Sequence, residues 1–142
     1  MGMRRKGREL ALQALYQLDL SGEEPGPALR VFWEHCDAPS DARTFGEDLV
    51  GGVLDERSRI DELISKSSDN WRVERLSHVD RNILRVATYE LLCRRDVPAS
   101  VAIDEAIEIA KRFGSDESPT FVNGVLDAIA VTVGAKERQR AL

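Results

Sequence analysis

Two cysteines, two histidines and 6% aromatic residues leave this 142-residue chain few of the side chains from which metal sites and disulfide frameworks are built. Cys36 and Cys93 stand far apart, so free buried thiols are expected. Together with His35 and His78 they fit no zinc-ligand spacing. No apolar run approaches the ~18 residues that a membrane span requires, and 32% of the residues are charged, which argues against a membrane protein. The basic start is followed by Glu9, Gln13 and Gln17 rather than by the apolar core of a signal peptide, so a cytoplasmic protein is expected. There is no glycine-rich phosphate loop, no HExxH and no nucleophile elbow. The best remaining case for an enzyme is a metal held by Asp104, Glu105 and Glu108, yet an acidic first turn is ordinary helix chemistry. Neither catalysis nor a cofactor is expected. No stretch alternates with period two for long, and there are no internal repeats or low-complexity tracts.

What is present is a helical pattern on a core-forming composition, 42% apolar. Ala11, Ala14, Leu15 and Leu18 form a stripe that predicts a helix over about 4–20. Ser21-Gly22 ends it. Val31, Phe32 and Trp33 mark a short second helix. Ser40 or Asp41 caps a third, which runs to about 66 with a break expected near 55–58. Ser77-His78-Val79-Asp80 is a capping-box pattern. It opens a helix to about 94 on Ile83, Leu84, Ala87 and Leu91. Ile103, Ala106, Ile107 and Ala110 mark the next, closed by Gly114 at C′. Ser118 and Pro119 start the last as N-cap and N1. The expectation is one all-α domain of about seven helices over residues 1–135. Its helical groups fall near 4–68 and 76–134, with a polar tail at 136–142.

Formal charge is −5, but Arg4, Arg5, Lys6 and Arg8 against Glu9 give the first 12 residues +3, leaving −8 for the other 130. Such polarisation points to an anion site on a body that otherwise repels polyanions, unless the basic start is incidental. Gly51, Gly52 and Gly124 lie inside helices, each costing roughly 1 kcal/mol relative to Ala. Close helix–helix approach is the expected compensation. Asn123 is either a buried tie or a ligand contact, and the tie is favoured. Tyr16 falls roughly 150° from the centre of its helix's stripe, with Leu12 one turn earlier on the same side. It is either covered by another element or offered to a partner. Lys111, Arg112 and Phe113 stand within ten residues of the next helix start. Cations, a ring and free N–H groups suit a single-stranded nucleic acid, although cations at a helix C-terminus are favoured anyway. Asp116 and Glu117 in the same loop would oppose a phosphate.

The segments GRELALQALYQLD, VDRNILRVATYEL and DVPASVAIDEAIEIAKRFGSDESPTFVNGVLDAIA resemble, over about 5–129, the bacterial transcription antitermination factor NusB family. The resemblance implies two small three-helix bundles packed perpendicular to each other around the N-terminal helix. It implies a non-enzymatic factor that binds boxA, a short single-stranded RNA of ribosomal RNA leaders, together with the ribosomal protein NusE. The pair attaches the RNA to elongating RNA polymerase with other Nus factors, and some members form homodimers. Arg4, Arg5, Lys6 and Arg8 match the family's RNA-contacting start, and Phe121 matches an aromatic of the RNA surface. Lys111, Arg112 and Phe113 join that set, with Asp116 and Glu117 modulating it by charge. Tyr16 and Asp80 match the NusE interface, and Leu12 goes with Tyr16. Thr120 stands where a basic residue is common, and Thr88 replaces a usual aliphatic residue. The alternative is a helical protein–protein adaptor or homodimer without specific RNA binding.

Overall fold

A computed structural model describes residues 2–69 and 72–135. Among these it has seven α-helices and no strand: α1 (Gly2–Ser21), α2 (Pro25–Glu34), α3 (Ser40–Asp55), α4 (Arg57–Ser67), α5 (His78–Cys93), α6 (Ala99–Phe113) and α7 (Ser118–Thr132). A 3₁₀ turn, Val73–Arg75, precedes α5. The polar tail expected at 136–142 lies outside the described residues.

Local chemistry sets most of the boundaries. The Ser77 hydroxyl accepts the Asp80 N–H at 3.1 Å and caps α5. The long third helix breaks at Glu56 into α3 and α4. Neither Ser40 nor Asp41 caps α3, since Pro39 holds that position without a side-chain bond. Gly114 is not in the left-handed conformation expected of a C′ glycine, with φ −94°. Space requires it instead, because a Cβ there would lie 2.5 Å from Ser118 Oγ. Ser118 is the first residue of α7 rather than its cap, and its hydroxyl accepts the Ser115 N–H at 3.0 Å.

The apolar residues form two cores. Leu10, Ala11, Ala14 and Leu15 of α1 pack with Trp33, Phe45, Leu49 and Val53. Ile60 and Ile64 of α4 pack with Ile83, Leu84, Leu91, Val122, Leu126 and Ile129. The changeover between helical groups is therefore at Glu56, and not in the expected 67–75 segment, because both buried isoleucines of α4 face the later helices. Each such side chain contributes about 1.5–3 kcal/mol. α1 serves both cores, with Leu12 in the second.

Close approach explains some glycines and not others. A Cβ on Gly7 would lie 2.8 Å from the Phe45 ring and 2.9 Å from the Ala42 carbonyl, so α1 approaches α3 there with no room for a side chain. Gly52 lies under the Tyr89 ring, whereas Gly51 and Gly124 face open space, so packing accounts for one of the three glycines for which it was expected. Asn123 is exposed and is not a buried tie. Cys36 is half-buried and Cys93 exposed, against the expectation of buried thiols, and neither is in a disulfide.

Candidate functional site

The cations of α1 project in different directions, as 100° per residue requires. The contact at Gly7 brings the guanidinium groups of Arg4 and Arg8 to 4.9 and 5.2 Å from the Phe45 ring centroid, where Arg94 joins them at 5.0 Å. A ring face attracts cations, but three together need counter-charges. Asp96 accepts Arg94 Nε and Nη2 at 3.0 Å each and Arg4 Nη2 at 2.9 Å. These bonds, Arg94's foremost, hold its carboxyl far below the usual range. Arg5 donates to both oxygens of Glu105, at 3.0 and 2.6 Å, which lowers the Glu105 pKa.

Arg8 turns inward. It is 3% exposed. Its Nε donates to the two oxygens of Glu90 at 3.0 and 3.1 Å. Its Nη2 makes a 2.8 Å charge contact with Oε1, without the alignment of a hydrogen bond. Glu90 is 1% exposed, and burial pushes its pKa up against the pull of Arg8. Arg8 is thus unavailable to an external phosphate, which corrects the expectation from the basic start. Its position on α1 meets α5 and α6. Lys6 has no ion-pair partner among the described residues.

Leu12 lies on Arg8's side of α1 and is 7% exposed. Its assignment as a partner contact is corrected likewise: the second face of α1 is covered by the chain's own later helices. Tyr16, one turn on, is 36% exposed, and its ring meets His78 edge-on at 5.9 Å. A groove of about 300 Å³ runs here, with Lys6, Leu12, Gln13 and Tyr16 of α1 facing Val79 of α5 and Phe113 of α6. Arg112 and Glu9, paired at 2.8 Å, also line it. The Arg112 guanidinium lies 5.0 Å from the centre of the exposed Phe113 ring. The groove joins Lys6, Arg112 and Phe113 with Leu12 and Tyr16, two sets of residues assigned separately from sequence.

Asp80 follows Val79 in α5 but does not itself line the groove. It is half-buried, and its Oδ1 is enclosed without a hydrogen-bond partner. Lys111 is exposed and 3.5 Å from Glu108. Asp116 and Glu117 are exposed, whereas Phe121 is half-buried against the second core and outside the groove. The start of α7 is a poor phosphate cradle: the Ser118 N–H is bonded to Ser115 and Pro119 has none. Asp104, Glu105 and Glu108 form no metal cluster, and among the described residues there is no group of three potential ligands.

Two acids escaped the sequence reading. Glu90 is one. Asp19, its side chain 8% exposed, accepts Arg81 at 3.0 Å, Asn82 at 2.8 Å and Arg85 at 3.4 Å. Burial pushes its pKa up, but the Asn82 bond and the charges of Arg85 and Arg81 outweigh this and lower it. The signal was available: Asp19 follows Leu15 by four, and Glu90 follows Ile83 by seven, so each is an acid on an apolar stripe.

Residues 5–131 match the family model described as the NusB family. The chain belongs to the NusB family. The transcription antitermination protein NusB of Geobacter sulfurreducens is 50% identical over 137 residues, 96% of this chain and 99% of that one. That of Sorangium cellulosum is 44% identical over 140 residues, 99% of this chain and all of its own. The NusB structure from T. maritima aligns with TM-score 0.83 at 40% identity, covering 96% of each chain. A chain from the crystal structure of antitermination factors NusB and NusE in complex with double-stranded RNA aligns with TM-score 0.80 at 28% identity, over 93% of this chain and 98% of that one. NusB proteins are transcription antitermination factors and not enzymes. In this NusB-family chain no helix among the described residues is long and apolar enough to cross a membrane.

Proposed function

We propose that this chain is a cytoplasmic antitermination factor that binds boxA-type single-stranded RNA of ribosomal RNA leaders together with NusE, and couples it to elongating RNA polymerase with other Nus factors. One observation carries the reading: the groove brings Lys6 of α1 beside Arg112 and the exposed Phe113 ring at the end of α6, while Arg4 and Arg5 are exposed on the same α1 and Lys111 on α6. Cations hold phosphates, and an exposed ring stacks an unpaired base. Likeness to a chain solved with NusE and RNA supports the two partners in general. Tyr16, in the groove, and Asp80, in the first turn of α5, are the residues proposed to meet NusE, and Phe121 is the second ring proposed for the RNA.

Arg8 is internal, and Arg4, Arg5 and Arg112 already hold carboxylates. If about three phosphates are neutralised, the log–log salt slope for a single strand is about −2. So weak a clamp requires the protein partner for tight binding. Fluorescence anisotropy tests this with a boxA-like RNA, a scrambled RNA and the boxA-like sequence as a duplex, with and without NusE, across a salt series. Selective binding of the single strand that tightens with NusE is expected. Equal affinity for all three RNAs in both conditions would overturn the reading. Tyr16→Asp should abolish NusE binding with helicity intact, and co-elution of that variant with NusE would remove Tyr16 from the interface.

A further inference from the structure

A second groove, of about 960 Å³, lies between α1 and α2 and shares Lys6, Leu10 and Gln13 with the first. Trp33 is the only buried residue of α2. Leu29 and Phe32 are half-buried against the first core and also line the groove, with Val31 exposed beside them. Leu29, Val31 and Phe32 face Leu18 and Leu20 of α1 across it. Val31 is 55% exposed and Leu20 58%, and both line this one groove, so their apolar surface is gathered at one place and not scattered.

Lys6 stands at one end of this groove, but the charge around its α2 side is opposite to that of the α1 start. Glu23 and Asp37 line it, just outside the two ends of α2. Glu24, Glu34 and Asp41 are exposed nearby in the chain. Residues 20–41 hold five acids and one base, Arg30, a net −4 in a chain of −5. An apolar trough with an acidic rim repels a polyanion and attracts a cationic chain that carries apolar anchors. The groove is open and long enough for helix-in-groove recognition, where anchors repeat every three or four residues.

We propose that the α1–α2 groove docks a basic amphipathic segment of a protein partner. Its apolar side chains lie on Leu18, Leu20, Leu29, Val31 and Phe32, and its Lys or Arg side chains pair with Glu23 and Asp37. Apart from Lys6, which lines both grooves, none of the residues proposed for RNA or NusE lines this one, and the inference does not depend on that reading.

The test is an NMR titration of the ¹⁵N-labelled full chain with a short amphipathic Leu/Lys peptide, with its Glu-for-Lys counterpart and with the boxA-like RNA. The Leu/Lys peptide should shift amides within residues 18–37 and bind several-fold more weakly when salt is raised, and the Glu counterpart should not bind. Glu23→Lys/Asp37→Lys should weaken the Leu/Lys peptide by about five-fold, a few-fold for each exposed pair. Val31→Asp should weaken it at least as much. Both variants should keep wild-type helicity, RNA affinity and NusE binding. Shifts scattered over the surface, equal binding of the acidic counterpart, or displacement of the peptide by RNA would overturn the proposal. So would loss of NusE binding in Val31→Asp, which gives the groove to NusE, or self-association abolished by that variant, which gives it to a second copy.

Discussion

Replacing Arg8 with Met separates a structural cation from an RNA-binding one. Arg8 and Glu90 are both almost fully buried, with contacts of 2.8, 3.0 and 3.1 Å. At charge centres about 4 Å apart and an effective dielectric near 20, their attraction is about 4 kcal/mol. That roughly offsets the desolvation of the two ions and adds little net stability. Arg8→Met removes the attraction and leaves the carboxylate among Leu12, Val86 and Ala106. The expected loss is about 3–5 kcal/mol at neutral pH, read as a lower urea midpoint by circular dichroism. Burial already raises the Glu90 pKa, and loss of Arg8 raises it further. A carboxyl whose folded pKa is raised favours folding at low pH and loses that contribution as pH rises through the folded pKa. The deficit of Arg8→Met relative to wild type should therefore shrink as pH falls from neutral towards the ordinary carboxylate range. Arg8→Met/Glu90→Met, with neither charge, should recover most of the loss and bind boxA-like RNA within about two-fold of wild type. A deficit under about 1 kcal/mol for Arg8→Met, together with a ten-fold loss of RNA affinity in the double variant, would refute the argument and return Arg8 to the phosphate clamp.

Asp19→Ala removes the shared acceptor of Arg81, Asn82 and Arg85 and should cost about 2–4 kcal/mol in urea denaturation. Since the folded Asp19 pKa is lowered, its contribution is present above the ordinary aspartate range and fades as pH falls through the folded value, so Asp19→Ala should also flatten acid denaturation. Thr88 is fully buried, and its hydroxyl has no hydrogen-bond partner. Thr88→Val should stabilise the protein by about 1 kcal/mol, seen as a higher Tm. Glu117 is exposed beside the proposed RNA track. Glu117→Gln should tighten RNA binding several-fold at low salt, with the gain fading as salt rises, and unchanged or weaker binding would count against that placement.

The helices and most of their ends were legible because their causes are local. Period-3.6 stripes, the Ser77 hydroxyl and the break at Glu56 each act within a few residues. The harder positions share a different cause. A stripe is read on the assumption of one buried face, and α1 is packed on two, so Leu12 and Arg8 looked outward and are inside. A polar residue among apolar neighbours favoured burial for Asn123, and the cost of glycine inside a helix favoured close packing at Gly51 and Gly124, but the finished helices leave all three in the open. The basic start was visible in the composition, but its counter-charges were not. Arg8 and Glu90 are 82 residues apart, Arg5 and Glu105 100, and Glu9 and Arg112 103. Local pattern is enough to specify that about seven helices form and roughly which residues they hold, because propensity, capping and periodicity are short-range. Which cations stay free, which acids they hold and how the Tyr16 and Phe113 rings come to share a groove follow from packing, because desolvation and ion pairing depend on neighbours that the linear chain keeps far apart.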